Sequence, residues 1–368
     1  MGQRVETSGI AKRGCAMHEP ASCLDDRLAN RFRSLDDLLG RNPARWSWQR
    51  RHPPIDRPGT ISIEEAAAWL EPREPVIAIE RNGQARAYPL QILVWHEIVN
   101  DELGGEPTLV TFCPLCNTAI AFDRRLEPAG PVYDFGTTGN VRFSDLVMWD
   151  RQTESWWQQL TGEAIIGDLA GKRLAPYPAQ ILGWQAFAEA YPHGDVLSRD
   201  TGHDRPYGTN PYVGYDDIDS SPFLFDGTPD GRLRPVERVV GVAHEGEAVT
   251  YPLGDISSSR VIHDTIGTLP IVVLIAPGAR SATDAAAISA SREVGQVGVF
   301  DRRLGDVLLT FDAGPDGFLD TQTGTRWDVT GQGVAGPLAG QRLLAVPHVV
   351  AFWFSWAAGF PQTRLWTG

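Results

Sequence analysis

Two cysteines separated by two residues, Cys113 and Cys116 in Phe-Cys-Pro-Leu-Cys, and one upstream histidine, His96 in Trp-His-Glu-Ile-Val-Asn-Asp, have the types and spacing for shared chemistry. Two thiolates at this spacing at the end of a strand can face one ion at about 2.3 Å, and an imidazole adds a third donor at about 2.0–2.1 Å. Three protein ligands leave a tetrahedral ion one open position, as in catalytic sites, whereas structural zinc sites are closed by four. Soft thiolates with one imidazole suit copper or zinc. Glu97, beside His96, is placed to orient that ring or to carry a proton. The expected site therefore has His96, Cys113 and Cys116 as metal ligands and Cys113, Cys116 and Glu97 as catalytic groups.

Thiol–disulfide exchange competes with this reading, since the first cysteine of a Cys-x-x-Cys at a helix N-terminus is activated as a thiolate. The following residues, Asn117-Thr118-Ala119-Ile120-Ala121-Phe122-Asp123, alternate with the period of a strand. They predict a strand–turn–strand hairpin with the cysteines at its turn. A buried pair holding no ligand is the third reading. Cys15, His18 and Cys23 are further donors by type, in a polar stretch near the start. No GxxxxGK[ST], GxSxG or HExxH pattern occurs, so nucleotide-binding and common hydrolase readings have no support.

The elements that position these residues come as a repeat. Val76–Cys116 laid over Val239–Ala279 without a gap gives eleven identities in forty-one positions, among them Tyr88-Pro89-Leu90 over Tyr251-Pro252-Leu253 and Asp101 over Asp264. Thr161–Pro192 over Thr330–Pro361 gives twelve in thirty-two. The repeat is an internal control: residues alike in both copies point to folding, while chemically capable residues found in one copy point to a site. His96 falls on Ser259, Cys113 on Ala276 and Cys116 on Ala279, so all three donors vanish together. Asp150 recurs as Asp320, which marks a turn or cap role, and Trp157 recurs as Trp327, which marks core. Asp134 stays a candidate pocket residue.

The organisation expected is an N-terminal extension over 1–57, a first repeat over 58–200, a linker over 201–233 and a second, degenerate repeat over 234–368. The spacing of Leu28, Phe32, Leu35 and Leu38 predicts a helix in the extension, and Ser62 with Glu64 and Glu65 opens another running to Leu70. Hairpins follow from the Asn82-Gly83 and Glu245-Gly246 turns. One helix is expected to close each copy, over 179–191 and 348–358, and the Ala/Ser-rich 281–298 reads as a surface loop. The fold class is α+β, β-dominated: two pseudo-symmetric lobes, each a small sheet or barrel closed by a helix.

A formal charge of −13 and a pI near 5.1 exclude a nucleic-acid surface, which requires clustered Lys and Arg. No run of about 18 apolar residues occurs, so no membrane span is expected, and the start lacks an apolar signal core. Together with only four cysteines, this places the expected protein in the reducing cytoplasm.

The runs WHEIVND, FCPLCNTAIAFDR and FSDLVMWDRQTESWWQQLTGEAIIG, with the later FWFSWAAGFPQT, resemble the prokaryotic family catalogued as domain of unknown function 3179, from about residue 58 to the end. The resemblance implies no settled activity or cofactor. It does place His96, Cys113 and Cys116 on the family's HE and CPLC signatures. It also implies an exported or lipid-anchored setting for many members, from which this start departs. The function expected is a metal-binding redox protein or enzyme with a Cys2His site, taking a small-molecule substrate between its lobes. A thiol–disulfide oxidoreductase using CPLC, and a non-catalytic structural or metal-delivery module, are the alternatives.

Overall fold

Alternating apolar residues build the chain into short antiparallel strands. A computed structural model describes residues 52–254 and 260–368. Cys15, His18, Cys23 and the helix expected over 24–40 lie outside the described residues. After a short helical turn at Ile63–Ala66, capped by the reciprocal Ser62–Glu65 pair, β1 (Pro75–Arg81) and β2 (Gln84–Pro89) form a hairpin through Asn82-Gly83. Then come α1 (Leu90–His96), the meander β3 (Ile98–Leu103), β4 (Glu106–Cys113) and β5 (Thr118–Asp123), and a second meander. The latter is β6 (Phe135–Arg142), β7 (Asp145–Asp150), β8 (Trp156–Gln158) and β9 (Glu163–Ile166). β10 (Gln180–Gly183) returns antiparallel to β1, α2 (Trp184–Ala190) follows, and β11 (Asp195–Leu197) runs parallel to β2.

The second stretch has β12 (Arg238–His244) and β13 (Glu247–Pro252) as its hairpin, then β14 (Arg260–Ile266), β15 (Leu269–Ala276) and β16 (Gln296–Asp301). A small sheet of β17 (Phe311–Gly314), β18 (Gly317–Asp320), β19 (Arg326–Trp327) and β20 (Gly333–Ala335) follows. β21 (Val349–Phe352) returns to β12, α3 (Trp353–Gly359) follows, and β22 (Arg364–Leu365) lies parallel to β13. Strands dominate, and none of the described sheets closes into a barrel. No described helix is long and apolar enough to cross a membrane.

Three local expectations need correction. The segments expected as single closing helices each begin as a strand, because Gln180–Gly183 and Val349–Phe352 complete the edges of the β1 and β12 hairpins before the chain turns helical. Residues 90–96 form a helix where none is expected. Leu90, Ile92, Leu93 and Val94 are all buried, so no polar stripe betrays a helical period. The stretch 281–298 is not a surface loop throughout, for Ala282 and Ile288 enter the core beside Leu90, Ile92 and Phe112.

The described residues belong to one compact unit, and three of its four apolar clusters span the linker. One apolar cluster joins Cys113, Cys116, Phe135 and Trp157 to Phe352, Trp353 and Trp356. Another joins Leu182, Trp184 and Phe187 to Phe300, Phe311 and Trp327. The strand that leads into each closing helix thus packs against the other stretch, β10 on β16 and β21 on β5. Hydrogen bonds from backbone N–H groups fix the crossing: Phe352 N donates to Cys116 O at 2.9 Å, and Gly183 N donates to the Gln296 side-chain Oε1 at 3.0 Å.

Candidate metal centre

Two hairpin tips make the site. β4 ends at Cys113, paired with Thr118 at the start of β5, so Pro114–Asn117 form the expected turn, closed by Cys116 N to Cys113 O at 3.2 Å. Asn117 takes the left-handed conformation (φ 56°) that lets the turn re-enter the sheet. The turn faces inward, and the two cysteines are 2% and 0% exposed. The second tip joins β6 to β7, where Arg142 pairs with Asp145 across the two-residue loop Phe143-Ser144. Both loop residues have positive φ, 54° and 66°. That geometry is the usual choice for tight hairpins, but Asn-Gly normally supplies it, and other residues pay about 1–2 kcal/mol each for the left-handed region.

The second tip carries Asp145 to the sulfurs. Cys113, Cys116 and Asp145 each offer a ligand atom, and these atoms all lie within 4.8 Å of one another. Cys116 Sγ donates to Ser144 O at 3.3 Å, and Cys113 Sγ reaches the same oxygen at 3.8 Å. Asp145 Oδ2 accepts from Leu160 N at 3.0 Å and from Gln158 Nε2. Its Oδ1 has no hydrogen-bond partner, although the residue is 1% exposed. Burial pushes the Asp145 carboxyl up to about 7 against these bonds. Burial, then the neighbouring Cys113, raise the Cys116 thiol well above its ordinary range. Exchange chemistry needs the reverse, an accessible thiol with a lowered pKa, and a helix after the motif in place of β5.

His96 and Glu97 stand apart from this group. His96 ends α1, with Nδ1 2.6 Å from Pro53 O and Nε2 2.6 Å from the Tyr207 hydroxyl. A carbonyl only accepts, so this partner assigns the ring proton to Nδ1, and Nε2 accepts from Tyr207. Both nitrogens are engaged, and burial lowers the imidazole to about 4. The third donor gathered with the sulfurs is therefore the Asp145 carboxylate and not the His96 ring. Glu97 caps α1 in the left-handed region (φ 62°) and is turned inward, 5% exposed. Its Oε1 lies 3.4 Å from His52 Nδ1, its Oε2 has no hydrogen-bond partner, and burial pushes the carboxyl up to about 8. It reaches His52 and does not orient His96.

Two tyrosines from the segment after β11 cover the centre. Tyr215 donates to Leu115 O at 3.0 Å, and Tyr212 lies within electrostatic reach of both Glu97 and Cys113. The remaining candidates take structural places. Asp150 accepts from Trp157 Nε1 at 2.9 Å and Thr153 N at 2.6 Å, and Asp320 repeats both bonds with Trp327 and Thr323 at the same distances. Asp134 pairs with Arg124 at 2.6 Å near the surface. A surface cavity of about 480 Å³, lined by residues including Asp216, Arg234, Arg238 and Arg292, holds none of the expected site residues.

Sequence reasoning missed Asp145, Ser144 and the two tyrosines. A signal for Asp145 was present: at the spacing that lays Asp150 on Asp320, it falls on Pro315, so it is lost with the cysteines. The family model described as protein of unknown function (DUF3179) matches residues 51–363. No curated protein and no solved structure matches the chain.

Proposed function

Because the chain belongs to the DUF3179 family, whose description assigns no activity, we propose its function from the site alone: it binds one thiophilic divalent ion between Cys113, Cys116 and Asp145. The observation that carries this reading is Asp145 Oδ1, a buried carboxylate oxygen without a hydrogen-bond partner beside two buried thiols. An unpaired acceptor in such a place costs about 1–3 kcal/mol, and three groups able to become anions cannot ionise together without a cation among them. A bound ion removes both costs by taking the thiol protons' place and the free oxygen's lone pair. A hard carboxylate beside two soft thiolates suits zinc better than copper(I), so the expected choice of copper or zinc narrows to zinc.

Zinc has no redox states of its own, which moves the reading from a redox enzyme toward a site that binds and holds metal. Glu97 is read as a proton-holding group nearby, outside the ligand set. The tandem duplication, with its boundaries at 58–200 and 234–368, stays part of the proposal. It is supported by the matching order of sheets and by the Tyr88–Asp101 and Tyr251–Asp264 bonds, each 2.7 Å. On this reading the second copy has lost its donors and serves as packing.

The test is metal content by mass spectrometry on protein purified without a metal-affinity column. Wild type should carry about one equivalent of zinc. The Cys113→Ser/Cys116→Ser variant should carry none, Asp145→Asn should hold it at least about tenfold more weakly, and His96→Ala should keep it. Metal-free wild type after reduction and zinc challenge overturns the proposal.

A further inference from the structure

The proposed centre has three side-chain donors, and the expected fourth position was an open one. We infer instead that the backbone carbonyl of Ser144 is the fourth ligand and closes the site to solvent and substrate; this rests on the metal-binding reading above. The carbonyl already stands among the other donors. It is the acceptor for both sulfurs, at 3.3 and 3.8 Å, and it precedes Asp145 in the chain. A sulfur about 2.3 Å and an oxygen about 2.1 Å from a common tetrahedral ion lie about 3.6 Å apart, and the two observed separations bracket that edge.

Charge leads to the same place. Metal binding takes the protons from both cysteines, and with them both hydrogen bonds that Ser144 O receives. Ser144 is 0% exposed, so water cannot replace those donors. The oxygen would then face two thiolates and a carboxylate, all acceptors, unless it too ligates the ion. A carbonyl, two thiolates and a carboxylate around one divalent cation satisfy every lone pair at once.

The loop that aims this carbonyl is held against its own preference. Phe143 and Ser144 occupy successive left-handed positions without a glycine. Side chains pin them: the Phe143 ring lies 6.2 Å from that of Phe225, and Ser144 Oγ donates to Phe223 O at 2.5 Å. Backbone strain that the surroundings over-determine is a common mark of a functional position. A closed S2O2 shell makes the ion a clasp between the β4–β5 and β6–β7 tips, which belong to different sheets.

Cobalt(II) in place of zinc reports the shell directly in the full-length protein. The expected result is a tetrahedral visible spectrum with thiolate charge-transfer bands that does not change when azide is added. X-ray absorption on the zinc form should count two sulfur and two oxygen neighbours. Ser144→Gly, which keeps the carbonyl and relieves the backbone, should retain the spectrum. Ser144→Pro, whose φ cannot reach the left-handed region, should lose its tetrahedral form. A bound cobalt whose spectrum shifts with azide overturns the closed shell while leaving metal binding intact, and this holds whether or not the proline variant folds. A protein that takes up no cobalt or zinc overturns both.

Discussion

At the scale of single residues, Glu97 and His96 set opposite pH limits. Glu97 titrates near 8 in the folded chain, against about 4.3 when unfolded. Between these values the native state binds more protons, so stability falls as pH rises through the window. Glu97→Gln keeps the shape and removes the charge, and should flatten the urea-denaturation free energy between about pH 5 and 8, a difference of a few kcal/mol. An unchanged slope there means Glu97 is ionised and paired. For His96 the sign reverses: folded near 4 and unfolded near 6.5, it withdraws stability as pH falls across that interval, by up to about 3 kcal/mol. His96→Gln should make the acid limb shallower. The cysteines were legible because a Cys-x-x-Cys is local, whereas Asp145 arrives from another sheet through tertiary structure. His96 was misplaced because its loss alongside the cysteines suggested one shared site. Its actual partners are Pro53 and Tyr207.

At the scale of elements, the repeated Asp–Trp turn offers the cleanest measurement. Asp150 and Asp320 each hold a buried indole N–H and the backbone of the following turn. Either one changed to alanine leaves that N–H without an acceptor, and each should cost about 2–4 kcal/mol in chemical denaturation. Asp150→Ala costing nothing would remove the turn role. These turns were readable because the same Asp and Trp, seven residues apart, recur in the two stretches. The β4–β5 hairpin was readable from strict alternation. α1 was not, because a helix apolar on all sides shows no period, and the closing helices were drawn too long because edge pairing with β1 and β12 recruits their first residues.

At the scale of the molecule, three of the four buried apolar clusters among the described residues draw on both stretches, so neither should melt alone. Calorimetry should give one transition whose van't Hoff and calorimetric enthalpies agree, and two separated transitions would mean independent lobes. The β-rich class was legible from the strand patterns, but the exchange by which β10 packs on β16 and β21 on β5 was not, since similar residue patterns do not say whose surface each closing strand will cover. That exchange has a consequence during synthesis. The wall behind Cys116 is built from Phe352 and α3, near the end of the chain. Roughly 240 residues separate them, so at about 5–20 residues per second the ribosome leaves the two thiols without that wall for on the order of 10–50 s. For that interval the nascent thiols stand open to oxidants and to any thiophilic ion, before the fold can bury them.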